Sequence, residues 1–308
     1  MPSILRRLLG RQRPRTRPAK PAPIASTAAT WFEAKRERHP PVGLPREYLH
    51  DPAHLATVDQ KFLPLLEERE VIDAIERDEV PIPATADREN YFDQKHLTYW
   101  LSGLFDLRTV RRLIPDASLA HVLDFGGATG RFARHVPQAE PSAIVTIADI
   151  SHNNVLWCNE HFGPAVRAVK VSQYCHFPLG DESVSLCVGL SVFTHIDSYE
   201  SGWIAEIHRV LRPGAYAYIT ICTEDTWLKL PTSGSMPHMR DDPQFKDFYQ
   251  AHRNLPAERV VIDHKPGTVF HCCNTFLHTD YVRRVWGKWF EVIDMCHGWK
   301  TAVVLKRR

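Results

Sequence analysis

From about residue 118 onward, short apolar runs alternate with segments whose apolar positions recur every three to four residues. The runs lie near 120–125, 143–149, 165–171, 184–190 and 215–222. The helical patterns lie near 129–136, 152–162 and 198–211. The run from Ala143 to Ile150 is apolar almost throughout and rich in β-branched residues, as suits a strand covered on both faces. Strands alternating with helices of this length predict βαβ units and a parallel sheet. Ser198 is the predicted N-cap of the helix over 198–211, and Pro213-Gly214 is predicted to end it and turn the chain into the next strand.

Upstream, Phe62 to Glu76 carries apolar residues at 62, 63, 65, 66, 71, 72 and 75, a helical stripe with charges opposite. Tyr91 to Leu113 predicts a pair of amphipathic helices. Residues 223–278 carry prolines at 231, 237, 243, 256 and 266 and read as a long irregular insertion. Thr279 and Asp280 open a last helix, and Phe290–Met295 with Thr301–Leu305 predict a hairpin-like closing pair. No internal repeat is visible. The organisation expected is a disordered basic, proline-rich tail over 1–30, a helical extension or lid over 31–113, and a main domain over 114–308 with its insertion at 223–278.

Charge sharpens this division. The 308-residue chain has a net charge of +2, yet residues 1–30 hold seven Lys or Arg and no acid. Removing those seven from 38 leaves 31 basic against 36 acidic residues, a net of −5. A mildly acidic body is not built to hold a polyanion across its face, so nucleic acid is not the default partner, although the basic tail keeps it open. No apolar run approaches the roughly 20 residues that span a bilayer, and no apolar stretch of the secretory type follows the basic start. Seven scattered cysteines fit free thiols in a reducing compartment, and the expected location is the cytoplasm.

The chemistry concentrates at His121-Val-Leu-Asp-Phe-Gly-Gly-Ala-Thr-Gly-Arg-Phe132. An apolar strand reaches a carboxylate, Asp124, and a turn bearing Gly126, Gly127 and Gly130 follows, then the start of a helix. Such a turn needs residues without side chains where φ is positive or a ligand approaches the backbone. The helix start offers unpaired N–H groups. Asp124 would repel a naked pyrophosphate and suits a partly cationic ligand rich in hydroxyls and amines. A second acid, Asp149, ends the next strand 25 residues on, where doubly wound folds place the acceptor for a ribose hydroxyl.

These residues resemble the cofactor site of the class I S-adenosylmethionine-dependent methyltransferases. Asp124-Phe-Gly-Gly-Ala-Thr-Gly130 and Ile147-Ala-Asp-Ile150 carry the likeness. Ser191-Val-Phe-Thr-His-Ile196 is similar to the stretch these enzymes carry after the fourth strand, and Val210-Leu-Arg-Pro-Gly-Ala215 to the turn into their fifth. Tyr281–Phe290 and Thr301–Leu305 are similar to their last helix and final strands. The likeness covers roughly residues 90–308. One departure stands out: the family usually has glycine where this chain has Ala128, so the turn must accommodate an extra methyl group.

The resemblance implies a Rossmann-like, doubly wound α/β fold: a mostly parallel seven-stranded sheet with an antiparallel final strand, preceded by a helical extension. It implies S-adenosyl-L-methionine as cofactor and a small molecule or sugar as acceptor. Asp124 and Gly126 would hold the amino-acid end, and Phe125 between them is a further cofactor-binding candidate. Gly127 and Gly130 would allow close approach, Asp149 would accept from both ribose hydroxyls, and Ile150 would lie against adenine. Gln173 is the candidate for the adenine edge, and Leu190 and Ser191 should lie beneath the methionine part. His195 is the candidate base by position, with a structural histidine as the alternative. A metal site at His271-Cys272-Cys273 with His278 is set aside, because adjacent cysteines point opposite ways on a strand. His238, His252 and His264 in the insertion are surface histidines by default and candidates for acceptor contact. Tyr91, Trp100 and Trp203 read as core aromatics or as an acceptor wall.

The alternatives differ in how far the sequence supports them. The turn's glycines at 126, 127 and 130 do not fit the G-x-G-x-x-G spacing of a nicotinamide-dependent oxidoreductase. The motif of exocyclic-amine nucleic-acid methylases after the fourth strand is replaced here by Leu190-Ser-Val-Phe193, and the Pro-Cys nucleophile of cytosine C5 enzymes is missing. RNA ribose or protein remains as acceptor through the basic tail, as does a non-catalytic protein that keeps the cofactor fold for binding.

Overall fold

Hydrophobic runs that alternate between two buried faces dominate the computed structural model, which describes residues 38–233, 236, 243–263 and 273–308. These belong to one compact unit, Lys35–Arg308. The tail expected over 1–30 lies outside the described residues, as do His238, His264, His271 and Cys272.

The described strands are β1 (His121–Phe125), β2 (Ile144–Asp149), β3 (Val166–Lys170), β4 (Val184–Gly189), β5 (Leu211–Ile221), β6 (Arg259–Asp263), β7 (Cys273–Leu277), β8 (Phe290–Cys296) and β9 (Thr301–Arg307). Seven of them form one sheet in the order β3-β2-β1-β4-β5-β9-β8. The first five pair in parallel and β9 runs antiparallel to both neighbours. The described helices are α1 (Pro45–Leu49), α2 (Pro52–Leu55), α3 (Arg69–Arg77), α4 (His96–Leu113), α5 (Val136–Ala139), α6 (His152–His161), α7 (Glu200–Val210), α8 (Glu224–Lys229), α9 (Pro243–Ala251) and α10 (Thr279–Val285).

Both faces of the sheet are covered, as the continuous apolar strands require. On one face Val122 and Leu186 meet Leu107 and Val110 of α4 and Trp157 of α6. On the other, Leu123, Cys187 and Ala217 meet Trp203 and Ile207 of α7 and Val282 of α10. The order reverses between β1 and β4, so a crevice opens above β1 and its neighbours at the carboxyl ends of the strands.

Several local expectations are corrected. No continuous helix follows the glycine turn over 129–136. That stretch is a run of turns, a 3-10 segment (Ala133–His135) and the short α5. Gly126, Ala128 and Gly130 all have positive φ, and Pro137 brings no N–H, so a regular helix cannot start at 129. The helix dipole therefore gives little at this turn. Over 60–77, a 3-10 segment (Gln60–Glu67) containing Pro64 precedes α3. Over 91–113 one helix forms, not two, because residues 89–95 are spent in turns. Helix α7 opens at Glu200, two residues after Ser198, with no side-chain cap bond. Pro213-Gly214 lies inside β5, beside a register shift against β4.

The insertion is more regular than its prolines suggest. Its described residues form α8, α9 and an antiparallel pair, β6 and β7. Trp227, Phe245, Val260 and Phe276 bury a small core between them. The pair is tied to the main sheet where the Leu277 amide donates to Cys222 O at 2.9 Å.

The N-terminal extension is fastened to the turn region by a buried ion pair. Asp78 lies 3.6 Å from Arg134 Nε and accepts from Trp100 Nε1 at 2.7 Å. Arg134 also donates to the carbonyls of Val80 and Pro81 at 2.8 and 2.9 Å. Among the described residues, no helix is long and apolar enough to cross a membrane.

Candidate functional site

The crevice above β1, β2 and β4 holds a cavity of about 430 Å³. Three separate parts of the chain border it: residues 88–92 with Tyr99 of α4, the tips of β1 to β4, and the loop from Leu190 to Tyr199 leading into α7. Of the ten residues expected to contact cofactor, Asp124, Phe125, Gly126, Gly127, Asp149, Ile150, Gln173, Leu190 and Ser191 border it, and so does His195. Gly130 does not. It is a glycine for another reason: its φ is +75°, and a Cβ there would lie 2.6 Å from the Phe162 ring.

Asp124 is 2% exposed, and its Oδ2 has no hydrogen-bond partner. Burial pushes its carboxyl up to about 7, against the nearby Arg131 charge and with help from Asp149. Gly127 makes room for it, because a Cβ on Gly127 would sit 2.5 Å from Asp124 Oδ2. Phe125 points its ring elsewhere, into a cluster with Phe177 and Trp203 at centroid distances of 5.0 and 4.6 Å.

Asp149 is held more fully. Its Oδ1 accepts from the Ser151 amide at 2.7 Å and from Asn154 Nδ2 at 3.3 Å, and its Oδ2 accepts from the Ala128 amide at 2.9 Å. Burial raises its pKa, and those two amides oppose the rise. A carboxylate offers about four lone-pair positions. Three are in use, so Oδ2 can still accept from a further donor. Ala128 itself sits at φ +48°, where an alanine is strained, and its amide bond to Asp149 helps to hold it there.

On the other side, Ser191 is fixed at φ +64° by contacts from every direction. Its amide donates to Thr220 Oγ1 at 2.7 Å, its carbonyl accepts from Thr194 Oγ1 at 2.6 Å, and its Oγ accepts from Lys300 Nζ at 2.6 Å. His195 Nδ1 lies 2.8 Å from Cys273 O. Only a protonated Nδ1 can bond a carbonyl, so the neutral ring has Nε2 as its basic nitrogen. Thr275 Oγ1 donates to Ile196 O at 2.8 Å, so β7 is stitched along this loop.

The aromatic candidates separate. Trp203 and Tyr91 border the cavity, and Tyr91 is 51% exposed. Trp100 is buried away from it against Asp78 and His135. His278 caps α10 by accepting from the Asp280 amide, and Cys273 binds into the loop at His195. Among the described residues, no group of three potential metal ligands converges. Sequence reasoning missed Arg88, Glu89, Tyr99, Arg131 and Asp197, all at the cavity. Nothing in the local pattern marks Arg88. Arg131 follows the glycine turn directly, and its position was the one available signal.

The residues fit a sulfonium amino-acid nucleoside in specific respects. A buried carboxylate oxygen without a partner awaits a donor at Asp124. A second acid at the next strand tip keeps one acceptor position. A Cβ on Gly126 would meet Val192 at 2.4 Å, so the backbone there stays bare.

A profile described as a methyltransferase domain matches residues 123–219. Over 115 residues the chain is 29% identical to the malonyl-[acyl-carrier protein] O-methyltransferase of Geobacter sulfurreducens, covering 37% of this chain and 43% of that one. The match thus spans less than half the length of this curated relative. Among solved structures, a protein of Pyrococcus horikoshii OT3 aligns at 15% identity and a TM-score of 0.48, over 70% of this chain and 92% of that one. A SAM-dependent methyltransferase of Methanosarcina mazei aligns at 16% identity and a TM-score of 0.44, over 63% and 96%. The pyocyanin biosynthetic protein PhzM aligns at 15% identity and a TM-score of 0.46, over 82% and 69%.

The two kinds of glycine can be told apart by substitution. Gly130→Ala should lower stability by more than the roughly 1–2 kcal/mol of a left-handed alanine, because the Phe162 ring must also move. Gly163→Ala, with nothing within 4 Å of its Cβ, should be close to neutral in the same thermal and urea unfolding experiment. Equal effects at the two positions would refute this account of the turn.

Proposed function

We propose, from the premise that this chain belongs to the class I S-adenosylmethionine-dependent methyltransferases, that it moves a methyl group to a small-molecule or sugar acceptor. The observation that carries the proposal is the pair of buried acids at adjacent strand tips, Asp124 and Asp149, bordering one cavity with the bare glycine turn. When bound, S-adenosyl-L-methionine supplies a methyl carbon already activated by the positive sulfur beside it.

The protein's own task is then to bind, orient and exclude water. Asp124 accepts from the cationic amine through Oδ2. Asp149 uses its remaining acceptor position for a ribose hydroxyl. Ile150 and Gln173 flank the adenine, and Leu190 with the clamped Ser191 supports the methionine part. Gly126 and Gly127 keep the backbone bare for close approach. Residues 88–92 form the inner edge of a lid made by the N-terminal extension, and Tyr91 and Tyr199 shield the acceptor. Where the acceptor must lose a proton, His195 Nε2 is the base. The O-methyltransferase activity named for the Geobacter relative favours an oxygen acceptor. The free, buried thiols of Cys158, Cys187 and Cys222 suit a reducing compartment such as the cytoplasm.

An RNA ribose or protein acceptor would rest on the basic tail, and a purely binding role on the strain at Ala128. An oxidoreductase reading is disfavoured, because the unpartnered Asp124 would face a pyrophosphate. The deciding experiment incubates the full chain with isotope-labelled S-adenosylmethionine and a metabolite extract. Mass spectrometry should show a labelled product one methylene unit heavier than its precursor. Heat on titration with NAD and none with S-adenosylhomocysteine would reverse the assignment.

Two further outcomes are specific to the acids. Asp149→Ala should weaken S-adenosylhomocysteine binding by about 1–3 kcal/mol, measured by calorimetry, since a buried hydroxyl loses its acceptor. Asp124 titrates near 7, and its ionised form is the one that accepts from an ammonium group. Below that pH the carboxyl is protonated and the ion pair is lost, so affinity should rise as pH climbs from 6 to 8. Asp124→Asn should bind more weakly and remove the rise, and a rise that persists in this variant would assign it to another group.

A further inference from the structure

The loop after β4 is held by a charge from the far end of the chain. Ser191 has φ +64°, a left-handed backbone that costs a serine energy. Three contacts keep it there. Two come from neutral hydroxyls, Thr220 at the end of β5 and Thr194 in the same loop. The third comes from the ammonium group of Lys300, 109 residues away in sequence and 2.6 Å from Ser191 Oγ.

Lys300 lies in the turn between β8 and β9, where a lysine can ordinarily extend its ammonium into water. Here the side chain is turned inward. Burial lowers its pKa, Cys222 opposes the fall, and the Arg131 charge adds to it. Among the described residues no carboxylate pairs with it, and one of its three donors has a partner, the Ser191 hydroxyl. An enclosed ammonium matched by a single hydroxyl contributes little to stability, so the fold's own needs do not account for it. The turn that carries it is braced by the first helix of the insertion. Thr226 Oγ1 donates to Trp299 O at 2.9 Å and Lys229 Nζ to Gly298 O at 3.0 Å, and the hydroxyls of Thr223 and Thr301 lie 3.0 Å apart. A run of fixed contacts thus leads from α8 through this turn to Lys300, and from there to the cavity wall at Ser191.

We propose that Lys300 is a positioning residue for the cofactor cavity, acting through Ser191. This rests on the cofactor reading above and adds to it a residue that does not border the cavity. An ammonium donating to Oγ leaves the Ser191 hydroxyl its own hydrogen to donate. The residue is pinned at its amide, its carbonyl and its side chain, so this wall has one shape before any ligand arrives. The cost of ordering it is then met in folding and not in binding.

The test measures S-adenosylhomocysteine binding by calorimetry, and thermal unfolding, on the full chain. Lys300→Met should weaken binding about fivefold or more. It should leave the Tm unchanged or raise it, since an enclosed charge is removed. Lys300→Arg, which keeps the charge and a donor, should recover part of the affinity. The decisive comparison is made on Ser191→Gly, which takes left-handed φ without strain and has no hydroxyl to hold. In that background, adding Lys300→Met should change the affinity by less than about twofold. An equal loss in both backgrounds would overturn the proposal. So would unchanged affinity in Lys300→Met, or a Lys300→Met chain too unstable to purify, because either result would make the lysine a structural residue. An unmodified protein that fails to bind S-adenosylhomocysteine would defeat the cofactor reading, and this proposal with it.

Discussion

The hydrogen bond from the Ala128 amide to Asp149 is the contact that gives the top of the sheet its shape. It joins the turn after β1 to the tip of β2, and the ladder reaches the same place from below through the Gly126 amide and Ala148 O at 2.7 Å. A parallel sheet forces this meeting, because β1 and β2 end side by side. With the turn pinned at Ala128, the residues around it follow. Gly127 must lack a side chain because Asp124 fills that space, and Gly126 because Val192 comes across from β4. The left-handed backbone at Ala128 is the strain that this single bond helps to hold.

The sheet supplies acids and leaves the rest of the site to its flanks. The N-terminal extension, anchored by Asp78 and Arg134, delivers Arg88 and Tyr99. The loop after β4 is fixed from the opposite side, by Lys300 on Ser191 and by β7 on His195 and Ile196. Burial lowers the Lys300 pKa, as expected of an ammonium group enclosed by the protein with a hydroxyl for a partner. The walls of the cavity are therefore made by segments more than one hundred residues apart, from Arg88 to Trp203, and the contacts that tie them down come from as far as Lys300. This division explains why the edges carry unusual backbone at Ser191 and at 89–93, whereas the strands beneath are regular.

The strands β1, β2 and β4 were legible because both faces are buried, which leaves a continuous apolar signature that ends at a polar tip. Asp124 and Asp149 were legible for the same reason, as charges closing such runs. The stretch 129–136 misled because its apolar spacing is helical while its backbone is set by left-handed residues that spacing does not register. Ser198 misled because a good capping residue does not fix where a helix begins. Gly130 was assigned to a ligand, although its requirement is a neighbouring ring that only the fold brings near. Arg88 was invisible: the segment Ala86-Asp-Arg-Glu-Asn90 reads as an exposed polar turn, and nothing local shows that the arginine is folded inward. The β6–β7 pair hid among prolines, since its partner for packing, Trp227, lies some thirty residues earlier.

What remains unspent in the cavity is informative in its sign. Asp124 is a buried acid whose carboxyl is pushed up to about 7 and whose Oδ2 has no hydrogen-bond partner. Its neighbours are treated differently: Asp78 is matched by Arg134 and Asp106 by Arg131. Two pairs close by show that this chain matches opposite charges when matching serves the fold. Leaving Asp124 without an ion pair of its own keeps most of its desolvation cost in place until something of complementary charge arrives.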